Sequence, residues 1–407
     1  TWLAQDNDAH LEAYLARLHP EADAAHWRDW LRRGDVMLLC DGLDEVGRDG
    51  ALESALLGAL GEYAACPAMI TCRTVSYEQH RRLLDAWPVF LLGGLDDAQQ
   101  EAYVRTYPAE HPGRYDPDAL LVELRRLTPM QTLASNPLLL AIICFVVDDP
   151  RGVTLPATRA ALYNRAVDKL MSRPPKVAVR YPSGQERPLA SQRRAMLERA
   201  ALECFALGRA TDTLVAKEEQ VLQALMNAAQ AEGYGTETAA MAASLLSDVT
   251  NNDRLLNGAP ETGYLFLHLT MQEYLAAACL ARLVEAPGGQ GWHSTIQFDG
   301  RVWGLGALVD KKTWDLDWEK VLLLLAEQLG DPGPLLERLA DPNPTPTNPT
   351  GDDVFCHRLA LAATCLGEVG EDALAHARGL AERVSEQLWG LWAEHARAGT
   401  TSSVSHV

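Results

Sequence analysis

Three acidic side chains carry the clearest chemistry in this sequence. Asp41, Asp44 and Glu45 follow directly on the apolar run Val36-Met37-Leu38-Leu39-Cys40, in the string Asp41-Gly42-Leu43-Asp44-Glu45. Carboxylates this close repel one another unless a cation or a proton intervenes. Such a set can hold a hard divalent cation through water and polarise a water that attacks a phosphate. Gly42 lets the chain turn sharply among them. The plainer alternative is a buried strand that ends in a capped acidic turn. Arg73, just after a second apolar run, has two readings of the same kind: a cation for phosphate charge, or a surface arginine after a strand.

The elements that must position these groups are legible as a pattern. Asp6 to His19 and Glu21 to Arg33 read as amphipathic helices. Val36–Cys40, Ala68–Cys72 and Val89–Leu92 are short, unbroken apolar runs, the pattern of strands buried on both faces of a parallel sheet. Helices expected over 51–65 and 77–86 lie between them, which implies right-handed crossovers and ligands at the carboxyl ends of the strands. Beyond Leu95 the pattern turns helical. Asp96 can cap one helix, and further helices are expected over 116–127, 130–134, 138–147, 157–171 and 192–207. Leu255-Leu256 and Tyr264–Leu267 read as a hairpin, followed by a helix over 270–283. From about Gln297 onward the pattern is of helices broken by Pro- and Gly-rich turns, among them Asp341–Thr350. The fold class expected is α/β followed by all-α.

Several strings, in order, are similar to those of one family. Val36–Val46 closely resembles the Walker B box of the NACHT branch of the STAND P-loop NTPases, the NLR-like signalling switches. Met69-Ile70-Thr71-Cys72-Arg73-Thr74 resembles that family's sensor strand. Leu133–Leu140, with Asn136-Pro137 at its centre, resembles the helical-domain motif. Leu155-Pro156 with Arg159 and Tyr163 resembles the opening of the winged-helix domain. Phe266–Ala277 is very similar to the motif that closes that domain. The matches span roughly residues 30 to 285.

The resemblance implies roles and an organisation. Asp41 would hold Mg2+, Asp44 and Glu45 would serve hydrolysis, and Arg73 would approach the γ-phosphate. Pro137 would pack near the adenine and His268 would contact the ADP β-phosphate, with ATP and ADP as the nucleotides. Pro137 also reads as a helix start, and His268 also reads as a hydrogen-bonded core histidine. Tyr274, Leu275 and Leu280 read as core, and Trp292, Trp303, Trp314 and Trp318 as packing between helices. Residues 1–94 would form the Walker B-bearing part of an NTPase α/β domain with a partial parallel sheet. Residues 95–152 would form a helical domain, 153–285 a winged helix, and 286–407 a HEAT-like helical region with a tail. The expected protein is a bacterial signalling switch in innate, antiphage defence. Its C-terminal helices would receive a protein ligand or trigger, and it would homo-oligomerise on activation.

The phosphate-binding loop G-x-x-x-x-G-K-[ST] is missing. No Gly-Lys pair occurs, and the first lysine is Lys169. Either the loop precedes Thr1 in a longer protein, or the chain is a degenerate relative. The retained carboxylates favour the first, and the chain alone is expected to bind ATP weakly or not at all. A catalytically inactive scaffold that binds a partner through its C-terminal helices is the alternative function.

Composition narrows the remaining classes. With 36 Lys and Arg against 55 Asp and Glu, the formal charge is −19. Nucleic acid and anionic membrane surfaces need a positive face, so neither is an expected partner. No apolar run approaches the ~20 residues that span a bilayer; Pro137–Val147 is the strongest and is too short. The eight cysteines include no C-x-x-C pair. Reduced, buried thiols in a cytoplasmic protein are expected, with neither zinc nor a redox dithiol.

Overall fold

The computed structural model describes the chain except for residues 1–9, 44–49, 73–76, 78–86, 111–114, 148–152, 183–185, 212–214, 260–262, 287, 289–290, 299, 344, 346, 349–350, 371–372, 374–377 and 398–407. It is mostly helical, and its described strands form three two-stranded sheets. The chain divides into two units, residues 1–93 with 211–214, and residues 94–210 with 215–407.

In the first unit, α1 (Leu11–Leu18) and α2 (Ala24–Arg33) pack together. Asp23 caps α2 by accepting the His26 N–H at 2.9 Å. Glu12 is buried between the helices and is met by Arg28 at 2.6 Å and by the Tyr63 hydroxyl at 2.8 Å. Its burial favours the neutral acid, but backbone, Arg28 and Tyr63 hydrogen bonds together hold its carboxyl below the ordinary value. β1 (Leu38–Cys40), α3 (Gly50–Glu62) and β2 (Ala68–Ile70) complete a strand–helix–strand unit. β1 and β2 run parallel with Leu38 opposite Ala68, Leu39 opposite Met69 and Cys40 opposite Ile70.

Two expectations for this sheet are corrected. Leu39 and Met69 are register partners on one face, and they are 70% and 55% exposed, so the strands are not buried on both faces. Val89–Leu92 forms no strand; Phe90 is 86% and Leu92 94% exposed. An apolar run becomes a strand only when a neighbouring edge takes its backbone hydrogen bonds, and among the described residues no strand pairs with this run. Within the expected helix over 77–86, only Tyr77 is described.

The second unit is built on one continuous apolar core from Val104 to Val384. It opens with α4 (Asp97–Glu110), α5 (Pro117–Arg126), α6 (Thr128–Ala134) and α7 (Pro137–Val146). Asp96 and Gln99 cap α4 reciprocally: each side chain accepts the other residue's backbone N–H, at 2.8 and 3.0 Å. Next come α8 (Arg159–Met171), α9 (Ala190–Thr211), α10 (Glu218–Ala231) and α11 (Thr238–Asn251). The last two were not anticipated. The antiparallel hairpin of β3 (Leu256–Ala259) and β4 (Gly263–Phe266) leads into α12 (Leu269–Val284). Every residue of α12 from Met271 to Ala281 is buried.

The proline-rich connection between α8 and α9 is tied to α11 by a buried ionic cluster. Arg187 donates to Asp248 at 2.7 Å and to Asp253 at 2.9 Å, and the Tyr181 hydroxyl donates to Asp248 at 2.6 Å. Asn252 accepts the N–H groups of Lys176 and Val177.

Beyond α12, a second hairpin of β5 (Thr295–Phe298) and β6 (Arg301–Gly304) stands where only helices were expected. α13 (Leu305–Lys312), α14 (Glu319–Gln328), α15 (Gly333–Ala340), α16 (His357–Glu368) and α17 (Arg378–Arg397) follow. Trp318 is fully buried and meets Phe205 and Phe298 edge-on at 5.4 and 5.9 Å. Trp314 is 38% exposed and stacks on His357. The break between α15 and α16 is organised by Asp310, which accepts from Arg338 at 2.6 Å and from the buried Arg358 at 3.0 Å. Of the eight cysteines, five are buried and three half-buried. No helix among the described residues is long and apolar enough to cross a membrane.

Candidate functional site

The acidic string begins where the two parallel strands end. Backbone hydrogen bonds carry the ladder beyond both strands: Thr71 N–H donates to Cys40 C=O, and Leu43 N–H donates to Thr71 C=O, each at 2.9 Å. This brings Thr71 beside Asp41. The Thr71 hydroxyl accepts the Gly42 N–H at 2.9 Å and donates to the Asp41 carboxylate. Gly42 has φ +75°, the left-handed region that glycine enters without steric cost. Leu43 is buried against Leu56, so the turn is anchored on its far side.

Asp41 itself is exposed, and only Thr71 engages its carboxylate among the described residues. Its neighbour Cys40 is half-buried, and burial pushes that thiol above its ordinary value, away from the nucleophilic form. The donors at this tip are therefore a carboxylate and a hydroxyl, the oxygen chemistry that Mg2+ takes when it binds through one or two carboxylates and a substrate's phosphates. Among the described residues no group of three His, Cys, Asp or Glu side chains could hold a metal by itself. Asp44, Glu45 and Arg73 lie outside the described residues.

Pro137 and His268 belong to the second unit, and each stands at a helix start. Pro137 is the first residue of α7, where its missing N–H costs nothing. Asn136 caps the helix by accepting the N–H groups of Leu138 at 2.9 Å and Leu139 at 3.2 Å. Ser135 C=O receives the Leu95 N–H, which ties the motif to the residues before α4. Gly94 packs so closely on Ser135 that an added Cβ would lie 3.1 Å from its carbonyl oxygen.

His268 is the N-cap of α12. Its Nδ1 accepts the Thr270 N–H at 3.1 Å and lies 2.8 Å from the Thr270 hydroxyl. With Nδ1 accepting, the neutral ring carries its hydrogen on Nε2. That places an imidazole N–H donor at the positive end of a 16-residue helix, where anions are favoured. The side chain is exposed, so it is not the core histidine of the alternative reading. Tyr274, Leu275 and Leu280 are core, as their spacing suggested.

No family model matches the chain, and no curated protein compared with it matches either. Among the described residues at the strand tips, Thr71 is a polar group that sequence reasoning left without a role of its own. Its partner depends on the parallel register of β1 and β2, which a linear string does not disclose.

Proposed function

We propose that this chain is the nucleotide-dependent switch segment of a NACHT-type STAND NTPase, acting in innate, antiphage defence in a bacterium. The observation that carries the reading is the clasp between Thr71 and Asp41 at the carboxyl ends of two parallel strands. There Asp41 would hold Mg2+, which when bound neutralises charge on the phosphates. Asp44 and Glu45 would orient the attacking water, and Arg73 would meet the γ-phosphate. The His268 Nε2–H at the start of α12 suits a phosphate of ADP in a closed state, and Pro137 suits the adenine. Residues 153–285, with the β3–β4 hairpin as the wing, would act as a winged-helix packing module, and residues 286–407 as a HEAT-like sensor for a protein trigger. ATP binding and release of the closed state would permit homo-oligomerisation. The proposed setting is the cytoplasm, in keeping with eight scattered cysteines of which five are buried.

The chain contains no Gly-Lys pair to cradle phosphates, so hydrolysis would require an upstream phosphate-binding loop. Calorimetry of the 407-residue chain with Mg2+ and ATP is expected to give weak or no binding. Micromolar affinity would overturn that part of the reading. In the protein expressed from its complete reading frame, E45Q is expected to slow hydrolysis and spare ATP binding, and unchanged turnover would remove Glu45 from the mechanism.

A scaffold role remains the second reading, and one observation favours it. Trp389 and Trp392 stack on each other at 4.9 Å on α17 and are 67% and 48% exposed. Exposed tryptophans of this kind commonly anchor protein partners.

A further inference from the structure

The first turn of α8 receives two carboxylates from the C-terminal helices. Glu327, next to last in α14, accepts the Ala160 N–H on Oε2 at 2.8 Å. Glu368, the last residue of α16, pairs with Arg159 at 2.9 Å. Thr158 caps the same turn by accepting the Ala161 N–H at 3.2 Å. Unsatisfied amides at a helix start favour negative charge, so the arrangement is sensible as a joint.

One half of it is unfinished. Glu327 Oε1 and Arg159 Nε are both shut off from solvent, and among the described residues neither has a hydrogen-bond partner. A bare, buried oxygen is costly on an ionised carboxylate and far less so on a neutral acid. The groups that bear on Glu327 come from each neighbouring element. α8 supplies Arg159 and the Tyr163 hydroxyl, α16 supplies Glu368 and the Cys365 thiol, and Glu273 of α12 acts on the same Tyr163. Arg159 is the one guanidinium in that set, and it is already paired with Glu368.

We infer that Glu327 is a protonation-operated catch between α8 and the C-terminal helices, closed when the acid is neutral and loosened when it ionises. Room for the loosening exists. Glu327 lines, with Thr158, Ala160, Asn164, Arg194 and Tyr274, a cavity of about 840 Å³ that can admit water to the ionised group. α14 also packs along α12, whose N-cap is His268, so the joint connects the last helices to the helix that presents that side chain. Burial first, then the charge of Glu368, push Glu327 up to about 7, against the Ala160 amide, Arg159 and Thr158, which pull it down. The folded chain therefore holds a proton here that the unfolded chain gives up above its ordinary value near 4.5. The catch is shut below that value and opens as pH rises through about 7.

The test is amide hydrogen exchange on the 407-residue chain across the range in which the joint opens, corrected for intrinsic rates, in wild type, E327Q and E368Q. Protection of the first turn of α8 in wild type should fall roughly tenfold or more from the acid to the alkaline end. E327Q, a permanently neutral isostere, should stay protected throughout. E368Q removes a repelling charge and frees Arg159, so its midpoint should move to lower pH. Flat protection in wild type, E327Q following the wild-type curve, failure of E327Q to fold, or an unmoved midpoint in E368Q would each overturn the catch. No nucleotide enters the measurement, so its failure leaves the ATPase reading standing, and failure of that reading leaves the catch standing.

Discussion

The Thr71 hydroxyl holds the Asp41 carboxylate across the ends of two neighbouring parallel strands, while its oxygen receives the Gly42 amide. One side chain thus fixes both the acid and the turn that follows it. Without it, Asp41 would be an exposed rotor on a short strand. With it, the carboxylate has a defined heading before any cation arrives.

Replacing that side chain tests the clasp. T71V keeps shape and loses both hydrogen bonds, and should destabilise the chain by about 1–2 kcal/mol in urea unfolding. T71S should restore most of the loss. Equal stability of T71V and wild type would show that the clasp contributes nothing.

Gly42 should resist substitution for a separate reason. At φ +75° an alanine carries steric strain, so G42A should cost roughly 1–2 kcal/mol in the same urea experiment. A neutral result would mean that the turn adopts another conformation.

Much of the second unit was legible in the sequence because its signals are local. Pro137 marks a helix start through its fixed φ, and the helix expected over 270–283 stands as α12. The β3–β4 hairpin followed from two apolar runs, although Asn257, Gly258 and Ala259, expected in the turn, pair within β3. What stayed hidden depends on alanine or on distant partners. α10 and α11 contain Ala224, Ala228, Ala229 and Ala242 as core residues, and alanine gives little periodic contrast between faces. The β5–β6 hairpin has four residues per strand, too few to stand out among helices. Val89–Leu92 has a strand's composition without a neighbour among the described strands, and Thr71 acquires its role only from register. At the acidic string the types and spacing were legible, whereas the Thr71 contact that orients the first member was not.

The ionic cluster beneath the proline-rich connection should be expensive to break. Asp248 is fully buried; burial alone would raise its carboxyl, but hydrogen bonds from Arg187, Tyr181 and Asn252 outweigh that and hold it below the ordinary range. D248A removes the carboxylate that receives Arg187, the Tyr181 hydroxyl and Asn252, leaving Asp253 alone to face Arg187, and should cost about 3 kcal/mol. Limited proteolysis should then cut the 172–190 connection first. Wild-type resistance in D248A would contradict the assigned role.

Stability should carry the signature of Glu327. Its value is raised from 4.5 to about 7, so stability from this group is present in acid and lost as pH rises through that interval. Relative to E327Q, wild type should lose up to about 3 kcal/mol between the two ends of the range. Denaturant unfolding of both proteins isolates the effect from Asp253, whose burial shifts it upward as well. A constant difference between the two proteins would contradict the assignment.

The central claim is that Asp41 serves a magnesium nucleotide. ATP turnover in the presence of Mg2+ should therefore be measured for wild type and D41N, each expressed from the complete reading frame. The account predicts turnover in wild type and a loss of roughly 100-fold or more in D41N. Equal turnover in the two proteins, or none in wild type, would contradict it.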